Sequence, residues 1–311
     1  MLRLNKRRKL VLLGVFAALA VFLFILWRSA IEKNRQIPVG PFRIAGNLYY
    51  VGTTNVTSFL LTGPEGHVLI DGCYPETAPM IIESISKLGF NITDVKVLLN
   101  SHAHPDHAGG LAALQEASGA ELWVSKADAD IIEAGGHGDP TFGPLKFVQF
   151  FGLGTFPAAR VDHRLEDGEK VRIGPIELTA HLTAGHTPGC TSWSFPVHDG
   201  DRELLAVSIG SLTLMPFVSL VEPETYPGIR NDYERSFRTL RNLPADIFLA
   251  SHTDWFNMQR KLRERADAKD PVEPFIDRDG YLNFIDRAEE TFRKELEDQQ
   301  GTVKPGSQLH D

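Results

Sequence analysis

Within six consecutive positions this chain carries three imidazoles and a carboxylate: His102, His104, Asp106 and His107. Side chains two apart in an extended segment point to the same side, so His102 and His104 can reach one metal ion together. Where the chain turns into a helix, Asp106 and His107 can swing toward a second ion. Zinc takes nitrogen and oxygen ligands of this kind, and a catalytic zinc site keeps one position open for water. Such a pattern of three histidines and one aspartate arises by chance on the order of once in a thousand chains of this length and composition.

The elements that must position these groups are legible on either side. An apolar run at residues 95–99 reads as a buried strand, and residues 111–115 read as a helix. Two further histidines, His186 and His252, each end an apolar strand in a loop, where sites built on a rigid scaffold collect their functional groups. With the first motif they make six ligands, enough for two zinc ions with room for water.

Strand-like segments separated by turn signals fill residues 42–70, and an amphipathic helix follows at 78–88. Strands recur at 121–125, 170–173, 176–180, 191–195 and 204–208, a helix at 232–243, and a strand at 246–250. Residues 135–161 lose this pattern. That stretch carries five phenylalanines among Gly and Pro, and reads either as an active-site loop or as packing onto the core. The tail from 263 to 311 is charged and contains a helix at 281–298, packed or solvated.

The beginning of the chain is different in kind. Five basic residues within positions 3–9 precede an uncharged run at 10–27. Eighteen residues approach the length of a spanning helix and exceed a usual signal-peptide core. The basic flank predicts a cytoplasmic start. The reading is a signal-anchor, with a cleaved signal peptide as the alternative, then a linker at 28–41 and an exported, periplasmic domain at 42–262. A net charge of −8, with no basic face, excludes nucleic acid as a partner. The membrane enters only through the first segment. Two cysteines, Cys73 and Cys190, give no disulfide framework and read as small buried side chains.

Asp71-Gly72, the His-x-His-x-Asp-His loop, Gly185-His186-Thr187-Pro188-Gly189 and the late His252 resemble the metallo-β-lactamase superfamily in order and spacing. Ser101 to Leu111, Gly185 to Trp193 and Tyr226-Pro227 followed by Asp232 to Phe237 are most similar to class B β-lactamases of subclass three. The resemblance implies an α+β fold, a four-layer αβ/βα sandwich. It implies that His102, His104 and His186 hold a first zinc, and Asp106, His107 and His252 a second. Asp106 would also orient a zinc-bound hydroxide, the nucleophile that opens a β-lactam ring. Ser211 and Thr213 match the positions that the subclass turns toward the substrate carboxylate.

Many other hydrolases of the superfamily carry a metal-bridging aspartate between the last two histidines, and this chain has Ser208-Ile209-Gly210-Ser211 there. That favours the β-lactamase reading over the alternative, an exported hydrolase of a lactone, thioester or other small ester. Ser84-Ile85-Ser86-Lys87 fits the Ser-x-x-Lys pattern of serine β-lactamases but lacks the partner motifs. His137 is a loop histidine beside the expected cleft, and His181 a packing residue.

Overall fold

A computed structural model describes residues 37–302 except 216, and Leu19 besides. The basic flank and the rest of the 10–27 run lie outside the described residues. Among the described residues no helix is long and apolar enough to cross a membrane.

Among the described residues twelve strands form two sheets. The first contains β1 (Phe42–Ala45), β2 (Leu48–Tyr50), β3 (Phe59–Leu61), β4 (His67–Ile70), β5 (Val95–Leu99), β6 (Glu121–Ser125) and β7 (His163–Leu165), paired in that order. Strands β1 to β4 are antiparallel; β4 to β7 run parallel. The second sheet is ordered β12-β11-β10-β9-β8, from β8 (Lys170–Ile173), β9 (Ile176–Leu182), β10 (Thr191–Asp199), β11 (Arg202–Ile209) and β12 (Ile247–Ala250). Only its β11–β12 pair is parallel.

Alternation along the strands divides the core. Phe59, Leu61, Val68, Ile70, Val97 and Leu99 point toward Trp193, Phe195 and Val197 of the second sheet. Their neighbours Leu60, Leu69, Leu98, Leu122 and Val124 face the other way. Those side chains pack on α1 (Ala78–Lys87), α3 (Leu111–Ser118) and α4 (Lys126–Glu133), through Ile81, Ile85, Leu111, Leu114 and Ile132. A strand buried on both faces reads as a continuous apolar run, as Val68-Leu69-Ile70 of β4 and Val97-Leu98-Leu99 of β5 do.

Between α1 and α3 lies a single turn, α2 (Pro105–Ala108), and behind β12 lies α6 (Met258–Asp267). Helices α5 (Ile229–Asn242) and α7 (Arg278–Thr302) pack together, with Phe292 of α7 against Tyr233 and Phe237 of α5. Tyr281 and Phe284 of α7 pack on Phe248 of β12. The terminal helix is therefore a packed part of the core, although much of the tail around it is charged.

This topology creates the site. Asp71 follows β4, His102 follows β5, Asp128 lies just beyond β6, Ser211 follows β11 and His252 follows β12. All lie beyond the carboxyl ends of strands that belong to parallel pairs, the edge where α/β sheets collect ligands.

Candidate metal centre

His102 and His104 lie in the turn after β5, and His104 is the residue before the first turn of α2. Pro105 suits that first helical position because its missing N–H costs nothing there. Asp106 and His107 then sit inside α2. His186 comes from the loop between β9 and β10, and His252 from the turn beyond β12. Side-chain ligand atoms of His102, His104 and His186 lie within 4.8 Å of one another, as do those of His102, Asp106 and His107. His252 Nε2 lies 3.2 Å from His107 Nε2 and 3.5 Å from Asp106 Oδ2. All six residues named from the sequence thus meet in one place.

The outer nitrogens of the rings are held. His186 Nδ1 lies 2.8 Å from the Thr213 carbonyl oxygen, which can only accept, so Nδ1 carries the proton. His104 Nε2 faces Asp139 Oδ2 at 3.1 Å and is protonated for the same reason. That leaves His186 Nε2 and His104 Nδ1 as lone pairs 3.1 Å apart. Two lone pairs at this distance repel unless a cation lies between them. His102 Nδ1 lies 3.1 Å from Ser101 Oγ, whose hydroxyl donates to Asp71 Oδ2 at 2.6 Å. His102 Nδ1 therefore donates, and Nε2 is free to bind. These tautomers follow from the partners. The donor set of imidazole nitrogens and one carboxylate, with carboxylate-held rings, fits zinc.

Burial, reinforced by the neighbouring His107 and His186, holds His102 well below the ordinary imidazole range. Burial and His104 likewise push His186 down to about 3. Burial opposes charge on His107 too, but Asp106 and Asp71 prevail and lift it to about 10. Asp106 is held well below the usual carboxylate range: burial resists, and His107 and His252 overcome it.

Two carboxylates hold the ligand loops: Asp71, named in the sequence as part of the Asp71-Gly72 motif, and Asp128, which the sequence reading missed. Asp71 accepts from the Ser101 backbone N–H at 2.6 Å and from Asn100 Nδ2 at 3.1 Å, and its Oδ2 stands 3.3 Å from His107 Nδ1. Its φ of 64° is a left-handed conformation that aspartate tolerates. Gly72 beside it packs so closely that a Cβ would lie 2.7 Å from the Leu111 nitrogen. Asp128 accepts from the Ala103 N–H at 3.0 Å, the Gly189 N–H at 2.8 Å and Thr187 Oγ1 at 2.7 Å. It ties the first histidine loop to the His186 loop. In the sequence Asp128 was visible only as the fourth residue of Ser125-Lys126-Ala127-Asp128, a helix-start signature.

A model of the metallo-β-lactamase superfamily matches residues 51–252. This chain belongs to the metallo-β-lactamase superfamily. Among solved structures, the superfamily member FEZ-1 from Legionella gormanii is 40% identical with a TM-score of 0.80, covering 85% of this chain and 98% of FEZ-1. BJP-1 of Bradyrhizobium japonicum, a subclass B3 metallo-β-lactamase, is 34% identical with a TM-score of 0.78, covering 88% and 99%. Curated relatives include hydroxyacylglutathione hydrolases of Jannaschia sp. and Cereibacter sphaeroides. They are 32% and 27% identical over 45% and 64% of this chain. The chain spans only 43% and 62% of the length of those two proteins.

The remaining residues of this metallo-β-lactamase-fold site fall into place around the histidines. Ser211 is buried, Thr213 exposed, and their hydroxyl oxygens lie 3.1 Å apart. Thr213 Oγ1 is also 3.1 Å from His186 Nδ1. The pair therefore borders the centre, with one hydroxyl already engaged there. Trp255, absent from the sequence reading, packs its ring 4.5 Å from that of His252. Asp139 and Thr141 are buried against His104, so part of the phenylalanine-rich stretch lines the centre, while Phe147 and Phe150 are exposed. His137 is exposed, and His181 bonds Ser194 within the second sheet. Ser84 is buried on α1, and Lys87 pairs with Glu83. Both cysteines are buried free thiols.

Proposed function

We propose that the chain is a zinc-dependent hydrolase that opens β-lactam rings, with His102, His104 and His186 holding one ion and Asp106, His107 and His252 the other. The observation that carries this reading is the strand end after β11. Hydroxyls stand there, at Ser208 and Ser211, where the ester and thioester hydrolases of the superfamily carry a bridging carboxylate. The near-complete coverage of FEZ-1 supports it as well. Helices α1, α3 and α4 outside one sheet, with α5 and α7 outside the other, support the αβ/βα layering.

Zinc supplies, when bound, a water acidic enough to lose its proton near neutral pH and a Lewis acid for the carbonyl. The chain does the rest. Asp106, on the exposed side of its trio, accepts a hydrogen bond from the attacking water and aims it. Asp71 and Asp139 keep His107 and His104 in the ligating tautomer. Ser211 and Thr213 receive the carboxylate beside the lactam nitrogen.

Thioester hydrolysis is the second reading, favoured by the hydroxyacylglutathione hydrolases among the relatives. Purified full-length chain in detergent would be assayed with a penicillin, a chromogenic cephalosporin, a carbapenem and a hydroxyacylglutathione thioester, with and without chelator. Chelator-sensitive opening of the lactams is expected. Thioester cleavage without lactam opening would overturn the first reading in favour of the second.

The N-terminal run is proposed to anchor the enzyme in the inner membrane with its site in the periplasm. Cell fractionation with N-terminal sequencing tests this. A soluble mature chain beginning after Trp27 contradicts it.

A further inference from the structure

We propose that the groove between the metal centre and α7 is a subsite for an anionic group on the substituent that a β-lactam carries beside its ring carboxylate, and that Arg287 recognises that group. The proposal rests on the hydrolase reading above and goes beyond it in substrate preference.

The groove has a volume of about 410 Å³ and includes Thr213, Leu214, Asp254, Trp255, Phe284 and Arg287 in its walls. It begins at the centre on both sides. Thr213 Oγ1 lies 3.1 Å from His186 Nδ1, and the Trp255 ring lies 4.5 Å from that of His252. A substrate whose reacting carbonyl sits between the two histidine groups therefore has this space beside it. The wall next to the centre is apolar. Trp255 and Phe284 stack with centroids 5.6 Å apart and planes at 28°, giving a flat surface for an aryl or alkyl body.

Beyond that surface stands a cation. Arg287 follows Phe284 by three positions on α7, so both project from one face of the helix. It is exposed and makes no ion pair with a described residue. Its neighbours differ: Arg241 is held by Asp286 and Glu289, and Arg293 by Glu289. The planar guanidinium offers two parallel N–H donors to a carboxylate, and a flanking apolar wall limits competition from water. Asp254 is the opposing charge in the same groove. Its charge opposes an anionic ligand in the groove.

Two cephalosporins separate this role from general binding: one with a neutral, non-leaving substituent on the ring carbon next to the carboxylate-bearing carbon, and its analogue with a carboxylate in that substituent. The readout is the ratio of kcat/KM for the dianionic over the monoanionic substrate, using zinc-loaded full-length enzyme in detergent. Arg287→Ala should lower this ratio by about 3- to 30-fold, the range for a charge-assisted bond discounted for exposure. Arg287→Lys should recover part of it, and Asp254→Asn should raise it. Zinc content checks that each variant keeps its centre. An unchanged ratio in Arg287→Ala overturns the subsite. Equal losses on both substrates also overturn it, by placing Arg287 on the ring carboxylate instead. Wild-type enzyme that opens neither cephalosporin removes the β-lactam reading itself, and the subsite with it.

Discussion

The two ligand trios are built differently from the same short loop. His102, His104 and His186 are three imidazoles, each no more than 7% exposed. The other trio contains a carboxylate, and two of its members are open: the side chains of Asp106 and His252 are 25% and 20% exposed. In the first trio, burial and the neighbouring imidazoles hold His102 and His186 below the ordinary imidazole range. In the second, without a metal, Asp106 and His107 share charge as an ion pair. A cation entering the first site meets ready lone pairs. A cation entering the second must displace a proton from His107. On the proposed reading the buried trio would retain its ion, and the open trio would face water and substrate.

The sharpest break in this comparison is removal of a ligand from the retaining side. His186→Ala should lower metal content from two to about one ion per chain, and activity by more than about a hundredfold. Elemental analysis beside turnover checks it. Unchanged metal content would remove His186 from the ligand set and end the contrast.

Next in size is the edge proposed to receive the substrate. Ser211 and Thr213 can each donate one bond to a carboxylate, and a bond to a charged group contributes roughly 1.5–3 kcal/mol. The double change Ser211→Ala, Thr213→Ala should reduce kcat/KM for β-lactams by about ten- to a thousandfold. The Thr213 carbonyl that orients His186 survives this change, so zinc content should stay at two. Loss of zinc would show that the Thr213 hydroxyl serves His186 rather than the substrate.

The carboxylates behind the ligands test whether the trios are separable. Asp139 touches only His104 among the six, whereas Asp71 reaches His107 directly and His102 through Ser101. Asp139→Ala should weaken one ion by about 10- to 100-fold, and Asp71→Ala should weaken both. Competition with a chelator, followed as two release steps, distinguishes them. If Asp139→Ala disturbs both steps equally, the trios act as one unit.

Much of this was legible in the sequence, and the reasons differ by element. Strands β4 and β5 each end in three consecutive apolar residues, and each chemically unusual histidine sits just past such a run or in a glycine-marked loop. Helix α5 carries a clear apolar face at Ile229, Tyr233, Phe237 and Leu240. Helix α4 was not legible because Lys-Ala-Asp-Ala-Asp offers little apolar period before Ile131 and Ile132. Helix α6 was hidden by its composition. Its buried face includes Lys261, whose amine meets Asp277 at 2.8 Å and lies over the rings of Phe248, Phe256 and Phe275. A lysine reads as surface unless the tertiary partner is known. Asp128 and Asp139 escaped for a related reason. Each acts on a ligand distant in sequence, by 35 positions for Asp139 and His104, and no spacing rule encodes that.

Asp128 gives the smallest and most specific test of the asymmetry, because its partners belong only to the retaining side. Ala103 lies between His102 and His104, and Thr187 and Gly189 follow His186. Burial pushes its carboxyl up from 3.8 to about 6, with the Thr187 hydroxyl bond opposing and Asp139 adding to the rise. Between those two values the folded chain holds a proton that the unfolded chain has released. Stability contributed by this group therefore falls as pH rises through the window, by about 1–3 kcal/mol in all, and is constant on either side. Asp128→Asn keeps the shape and removes the titration. Denaturant unfolding of chelated wild type and variant at pH 4, 5, 6 and 7 should show the wild type losing ground to the variant between pH 4 and 6. The loss should cease by pH 7. A stability difference that stays flat across this range would mean that the three donors hold the carboxylate ionised throughout. The link between the histidine loops would then be a fixed charge rather than a protonated acid.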